Sequence, residues 1–416
     1  MTTLSEADLE LARTVLRTRQ RVDADRAQDG EVTAAALKAF AAQNAFLPHK
    51  DPDRVTRGAF SFYRSLELER LARGEALIRR VRPGIFEDPS YFALLAYQAA
   101  SLEMAWGCLA PAAPPETFSR FLLGTAHHPD VNAMALRVRA GATWVIVVNS
   151  GLVDFVYQAA KVIVAAASPQ DVDDRRLVKA TFGSASALEY LKSDPEPAER
   201  LYRTLEAYFF GGYPRAFGHE TVPAVMHPPL ALLVGFAERW IIGHEYGHGM
   251  IPPMIDPPPD AHPDVVKEFF ADAMATAATV HSAGWLDGVP PEFPLGSAIF
   301  VLACLDVLDR GRRLVTTGDD TAEEADSTTH PTPRDRARET LRGFKRSFDV
   351  RYTPDHNFDL EYWVRPEPPT NHGFTADKEE VAYSYANALI AVWTSVRDRL
   401  KADHASGRPL HPMWVL

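Results

Sequence analysis

The stretch His244-Glu245-Tyr246-Gly247-His248 has the form H-E-x-x-H and lies at the end of an apolar run from Leu230 to Gly249. The run predicts a helix, on which residues i and i+4 share one face, so both imidazoles can bind the same metal ion. Glu245 can then take a proton from a water molecule on that ion. These five residues therefore indicate a zinc site with two nitrogen ligands, a carboxylate base and an open coordination position.

A zinc site of this kind needs a third protein ligand. In the longer pattern H-E-x-x-H-x-x-G-x-x-H that ligand is a histidine, but Ile251 and Met254 stand at the glycine and histidine positions here, which excludes it. Glu268 instead follows His248 by twenty residues, and Asp272 comes one helical turn later in a mostly apolar segment. Because carboxylates in apolar surroundings need a partner, we expect Glu268 to bind the metal. Asp272 is expected to accept a hydrogen bond from a ligand histidine and so set its tautomer.

The loop between the two expected metal helices is rich in proline and runs from Ile251 to Pro263. Prolines end the first helix after Gly249, whereas Pro263 suits the first turn of the next helix. Three further residues of the loop compete as candidate ligands: Asp256, Asp260 and His262. A ligand on a helix is held more rigidly than one on a loop, which favours Glu268 over these three.

The order H-E-x-G-H followed by E-x-x-x-D resembles the gluzincin class of metallopeptidases. Two further segments make the chain similar to the HtpX-like and CAAX-prenyl-protease type. Upstream, Val131–Leu136 and Trp144–Leu152 are similar to that family's strand pair, which ends in Gly-Leu. Downstream, Thr329-His330-Pro331 and the following Arg336 are similar to its Ser/Thr-His-Pro…Arg segment. The resemblance covers about residues 131 to 345, and the segments outside it match no family pattern.

The resemblance implies a zincin-like core that hydrolyses peptide bonds, with His330 near the metal. The imidazole of His330 could stabilise an oxyanion, block the open position as an extra ligand, or be a loop residue without a catalytic role. Arg336 is expected to form a buried ion pair, with Asp272 as the candidate partner. One strand of the 131–148 hairpin is expected to bind an extended peptide substrate by main-chain hydrogen bonds. Other candidates for the oxyanion role are Tyr213, His227, Tyr362 and His372.

Composition excludes several classes of protein. The formal net charge of -11 argues against a nucleic-acid-binding surface. Cys108 and Cys304 lie in apolar runs and are expected to be core residues without a disulfide. Met1–Asp8 lacks the basic and apolar parts of a secretion signal, and charges interrupt every long apolar run. We therefore expect a cytoplasmic enzyme without an integral membrane segment, unlike the membrane-embedded members of the family.

Hydrophobic periodicity predicts a mainly helical α+β protein with one small β-sheet. We expect three regions: a helical region (1–125), a zincin-like catalytic core (126–350) and a helical extension (351–416). The acidic segment Thr316–Thr329 is expected to be a loop that gates the cleft, and the apolar tail His411–Leu416 to dock on this chain or on a partner. Helices outside the metal segments are expected at Leu4–Gln28, Glu31–Phe46, Asp53–Val81, Pro89–Leu109, Ser150–Ala167, Ser184–Phe210, Leu295–Arg310 and Ala376–Ala402.

These observations favour a zinc-dependent metalloendopeptidase with Glu245 as general base. One alternative is a catalytically restrained zinc-binding protein that regulates or binds a partner on a protease scaffold. Another is a helical protein in which the H-E-x-x-H pattern is incidental. Metal analysis distinguishes an incidental motif from the two zinc-binding hypotheses. A chelator-sensitive cleavage assay then distinguishes the active peptidase from the restrained zinc-binding protein.

Overall fold

A computed structural model of the chain describes residues 5–28, 61–82, 89–109, 115–139, 143–166, 194–214, 222, 226–250, 262–284, 289–320, 331–349 and 376–414. The described part is mainly helical with one small mixed sheet, which confirms the α+β prediction at that level. Its helices are α1 (Glu6–Gln28), α2 (Ser61–Val81), α3 (Pro89–Leu109), α4 (Ser150–Ala166), α5 (Glu196–Gly211), α6 (His227–Met250), α7 (Pro263–Ser282), α8 (Glu292–Thr317), α9 (Pro333–Asp349) and α10 (Ala376–Ala405). Its strands are β1 (Phe121–Ala126), β2 (Ala133–Arg139) and β3 (Thr143–Asn149).

The sheet has the strand order β1-β3-β2. The central strand β3 is a continuous β-branched run in which Val145 to Val148 are fully buried, as expected for a strand covered on both faces. β2 pairs with it antiparallel, with Ala135 opposite Ile146, so the expected hairpin is present. β1 pairs with the other edge of β3 in parallel, an arrangement that the sequence did not predict.

A tight turn joins the sheet to helix α4. The turn at residues 128–130 lies so close to the first turn of α4 that a Cβ atom on Gly151 would come within 1.9 Å of the Pro129 carbonyl oxygen. The amide of Gly151 donates to the carbonyl of His128 at 2.9 Å. Glycine is therefore required here by a close backbone approach.

One hydrophobic cluster runs from α1 to α10 and includes residues of all three expected regions. Helix α6 lies near its centre and packs against α3, α7 and α8, while α8 packs along α10. Trp240 of α6 and Trp393 of α10 are among its largest fully buried side chains. Cys304 is a buried free thiol in this core, as expected. None of the helices in the described ranges is long and apolar enough to span a membrane.

Helix α3 begins and ends at the expected residues, and α7 begins at Pro263 as expected. The expected loop Thr316–Thr329 is wrong at its start. Thr316 and Thr317 are the last residues of α8, which ends because Gly318 takes a left-handed conformation with φ 78°. The part of that loop beyond residue 320 lies outside the described residues, and so does the expected helix Glu31–Phe46.

The apolar tail docks on helix α5 of the same chain. The indole of Trp414 donates to the carbonyl oxygen of Tyr208 at 3.0 Å, and the two rings lie 4.7 Å apart. The amide of His411 donates to the carbonyl of Phe209 at 3.0 Å. The hydroxyl of Tyr208 in turn accepts from the amide of Val131, just before β2. The tail is thus connected to the strand beside the cleft through one tyrosine.

Helices α6 and α7 approach each other through small residues. A Cβ atom on Gly247 would lie 2.6 Å from the Cα of Ala271, and one on Gly243 would lie 3.1 Å from the Cα of Ala275. Both pairs are spaced i and i+4, so each forms a smooth stripe on its helix. This contact places the histidine face of α6 directly beside the acidic face of α7.

We expect Gly247→Ala to lower the free energy of unfolding by about 1–3 kcal/mol, because the added methyl group forces two packed backbones apart. The control is Gly74→Ala in α2, where the nearest atoms would lie 3.6 Å away. At that position alanine should raise the free energy of unfolding by about 0.5–1 kcal/mol, because alanine has a higher helix propensity than glycine. Urea titrations in the presence of a chelator measure both changes without a contribution from metal binding. Equal stability of the two variants would contradict the close helix contact.

Candidate metal centre

A cleft of about 680 Å³ lies between the outer strand β2 and helices α6 and α7. His244, Glu245 and His248 reach it from α6, and Glu268 reaches it from α7. His244, Glu245 and Glu268 are buried, and His248 is half-buried. The structure therefore brings together the four residues that the sequence places at the metal.

The candidate ligand atoms have separations close to those around a tetrahedral metal ion. The Nε2 atoms of His244 and His248 are 3.0 Å apart, and each lies 3.5 Å from a carboxylate oxygen of Glu268. Bonds of about 2.0–2.1 Å to a tetrahedral zinc ion separate ligand atoms by about 3.3–3.4 Å. Within the described residues these three form the group that could hold a metal ion. Two imidazoles and one carboxylate suit zinc and also Fe(II).

The ring of His244 is held from two sides. Its Nδ1 lies 2.9 Å from Oδ1 of Asp272, which leaves Nε2 directed at the metal position. Its face stacks on the indole of Trp240, with 5.6 Å between ring centroids. The indole is fixed in turn, because its N–H donates to the hydroxyl of Thr276 at 3.0 Å. Asp272 therefore lies within hydrogen-bond distance of His244, as its predicted role requires, and Trp240 adds a support that the sequence did not reveal.

Arg336 connects helix α9 to this centre. Its guanidinium donates to both carboxylate oxygens of Asp272, at 2.7 and 2.9 Å. A third nitrogen lies 3.3 Å from Oε2 of Glu268. The expected ion pair with Asp272 is therefore present and bidentate, with Asp272 buried and the side chain of Arg336 12% exposed. Such a pair fixes geometry as well as charge, so α9 holds both acidic side chains of α7 in place.

The electrostatics of the group favour a divalent cation. Burial raises the pKa of Glu268, but hydrogen bonding to His244 and the charges of His244 and Arg336 outweigh it and lower the pKa to about 2. Burial and the positive charge of Arg336 both lower the pKa of His244. Hydrogen bonds to Asp272 and Glu268 outweigh them and raise that pKa to about 9. Burial and the neighbouring His244 lower the pKa of His248 to about 4. Because ligand histidines must be neutral, metal binding releases a proton here.

Several other sequence candidates lie away from the cleft or outside the described residues. The hydroxyl of Tyr213 donates to Asp154 in the core, and His227 is exposed at the start of α6. His262 accepts from the amide of Asp264 and caps helix α7, so it acts as a cap rather than as a ligand. Outside the described residues lie Asp256, Asp260, His330, Tyr362 and His372.

Sequence reasoning missed several residues that line the cleft. Trp144 and Leu152 contribute to its apolar wall, and Arg137 and Lys267 contribute cations. Alternation along β2 puts Arg137 on the same strand face as Ala135. The alternation of side chains along β2 follows from the sequence of the strand. Which face of the strand contacts helices α6 and α7 depends on tertiary packing.

Comparison with known proteins finds no match: no family model, no curated protein and no solved structure is detectably similar to this chain. The likeness to HtpX-like metallopeptidases therefore depends on the motifs quoted above. The metal-ligand group stands independently of that likeness, because it follows from the positions of the three side chains.

We expect one equivalent of metal per chain, and we expect His244→Ala to lose it, because the remaining two ligands cannot close a tetrahedral site. The matched control is His227→Ala, which removes an exposed histidine from the same helix and should leave the metal content unchanged. Elemental analysis after dialysis measures the content and identifies the ion. Undiminished metal in His244→Ala would rule out this ligand assignment.

We expect Asp272→Ala to weaken metal affinity about 10- to 100-fold although it removes no ligand, because the tautomer of His244 is no longer held. Asp306→Ala is the control. Asp306 is also buried and also pairs with α9, through Arg334 at 3.1 Å, but it does not contact a ligand. Competition with a chromophoric chelator gives both affinities. Similar losses in the two variants would mean that general loosening, and not ligand orientation, controls the metal.

Proposed function

We propose that this chain is a zinc metallopeptidase of the gluzincin type, similar to HtpX-like enzymes, that hydrolyses internal peptide bonds. The observation that carries the proposal is the three-ligand group beside a buried glutamate, in a cleft bordered by the outer strand β2. When bound, zinc supplies Lewis-acid activation of a carbonyl group and of water. His244, His248 and Glu268 would hold the ion, and contacts from Asp272 and Arg336 would fix His244 and Glu268 in place.

Glu245 is suited to move the proton. It lines the cleft together with His244 and Glu268. Burial, reinforced by the negative charge of Glu268, raises its pKa to about 7, although the charge of His244 opposes this. A general base works best when its pKa lies near the working pH. In this role Glu245 accepts a proton from the attacking water and delivers it to the departing amine.

The outer strand β2 supports a peptide as the substrate. One edge of β2 pairs with β3, and no strand of the described residues pairs with the other edge. The main-chain groups of an unpaired edge bind an extended peptide as an additional strand. Ala133 and Ala135 line the cleft and are small, so they leave room for substrate side chains beside the metal ligands.

We expect Glu245→Gln to keep its metal and to lose hydrolysis by about 10²–10⁴-fold, because an amide cannot accept the proton of water. Glu238→Gln is the matched control. Glu238 is buried on the same helix, does not line the cleft, and burial raises its pKa to about 8. Since burial favours its protonated form and it does not line the cleft, the amide should leave turnover unchanged. The assay follows fluorescein-labelled casein with zinc, with chelator and after zinc is restored.

Two outcomes of that assay would count against the proposed function. Wild-type turnover by Glu245→Gln would contradict the general-base role. A wild-type protein that holds zinc but cleaves no casein peptide bond, as judged by mass spectrometry, would favour the catalytically restrained regulatory protein.

A further inference from the structure

Arg137 lines the cleft, but it has no role in the proposed hydrolysis. Residues i, i+2 and i+4 of a strand share one face, and Ala133, Ala135 and Arg137 all line the cleft, to which Asn132 and Met134 also contribute. Arg137 lies opposite Trp144 in the register with β3, and Trp144 lines the cleft as well. A row of two small side chains along β2 therefore ends in a guanidinium beside an indole.

The charge of Arg137 has no counterpart within the part of the chain that the structure describes. Its side chain is exposed, and no described carboxylate lies within ion-pair distance of it. The two other cations at the cleft are already paired. Lys267 contacts Asp264 at 2.6 Å, and Arg336 contacts Asp272 at 2.7 Å. Arg137 thus presents its hydrogen-bond donors to whatever occupies this end of the cleft.

We propose that Arg137 forms a subsite for a carboxylate of the bound peptide. This inference rests on the proposed function, because it assumes a peptide paired along β2. In such a pairing, side chains on the cleft face repeat every two residues, about 6.6 Å apart. A substrate residue opposite Arg137 is then one repeat beyond the residue opposite Ala135. The planar guanidinium matches a carboxylate with two parallel hydrogen bonds.

The overall charge of the chain makes this selectivity local. With a formal net charge of -11, the protein as a whole repels acidic peptides. An acidic preference must therefore come from direct contact at short range, and not from long-range steering. The carboxylate can belong to a glutamate or aspartate side chain or to the C-terminus of the peptide.

The test measures binding, so that it does not depend on turnover. Glu245→Gln protein loaded with zinc is titrated into fluorescein-labelled octapeptides of Ala, Thr and Phe, and anisotropy is recorded at about 0.15 M salt. One set moves a single Glu through every position, and a second set carries Gln at the same positions. A third pair differs in a C-terminal acid or amide. These arms distinguish a side-chain carboxylate from a terminal one.

We expect a preference for Glu over Gln, or for acid over amide, of about five- to tenfold at one position. Adding Arg137→Gln should abolish that preference and leave binding of the Gln peptides unchanged. Arg137→Lys should keep part of it, because the charge remains while the planar fork is lost. Lys401→Gln, an exposed change on α10, controls for net charge and should keep all of it.

Three results would overturn the subsite: equal binding of Glu and Gln peptides, a preference that survives Arg137→Gln, or no binding of any peptide. Charged residues on outer strands also prevent edge-to-edge association. If that is the role of Arg137, then Arg137→Gln should self-associate in sedimentation velocity without any change in peptide preference. Selective binding of Glu peptides together with a wild-type enzyme that cleaves none of them would contradict only the proposed hydrolysis.

Discussion

The close contact between α6 and α7 is the constraint on which the rest of the site depends. Gly243 and Gly247 have no side chains, so Ala271 and Ala275 reach the backbone of α6. At that distance, ligands from two helices can meet at one point with separations of 3.0–3.5 Å. A larger residue at either glycine would move Glu268 away from the histidines even if every ligand were retained.

A second layer of order comes from helix α9. The histidine motif alone leaves the ring of His244 free to rotate, whereas Asp272 and Arg336 fix it through consecutive short contacts. Burying three charged groups together is costly unless their hydrogen bonds are satisfied, and here the guanidinium serves both acidic residues of α7. The centre is therefore assembled by side chains far apart in sequence, which is why it needs the folded core around it.

Local sequence patterns predicted which residues share a helix face in the candidate metal site. Contacts between segments far apart in the sequence could not be predicted from such patterns. The i, i+4 spacings of His244 with His248 and of Glu268 with Asp272 are properties of single helices, so the sequence identified them. The pairing of β1 with β3 joins segments that no local pattern connects. The need for glycine at 151 becomes visible only when the Pro129 carbonyl lies against it. Likewise, Arg137 lines the cleft only because β2 packs against α6.

The bidentate contact of Arg336 also bears on how this centre could be transplanted. A designed pair of helices copied from α6 and α7 would contain all three side chains that could hold a metal ion. It would lack the guanidinium that holds Asp272 and Glu268 in place, and two like charges would then face each other beside the ligands. The smallest unit able to carry this candidate metal site to another scaffold is thus three helices, one of which contributes none of the candidate ligands.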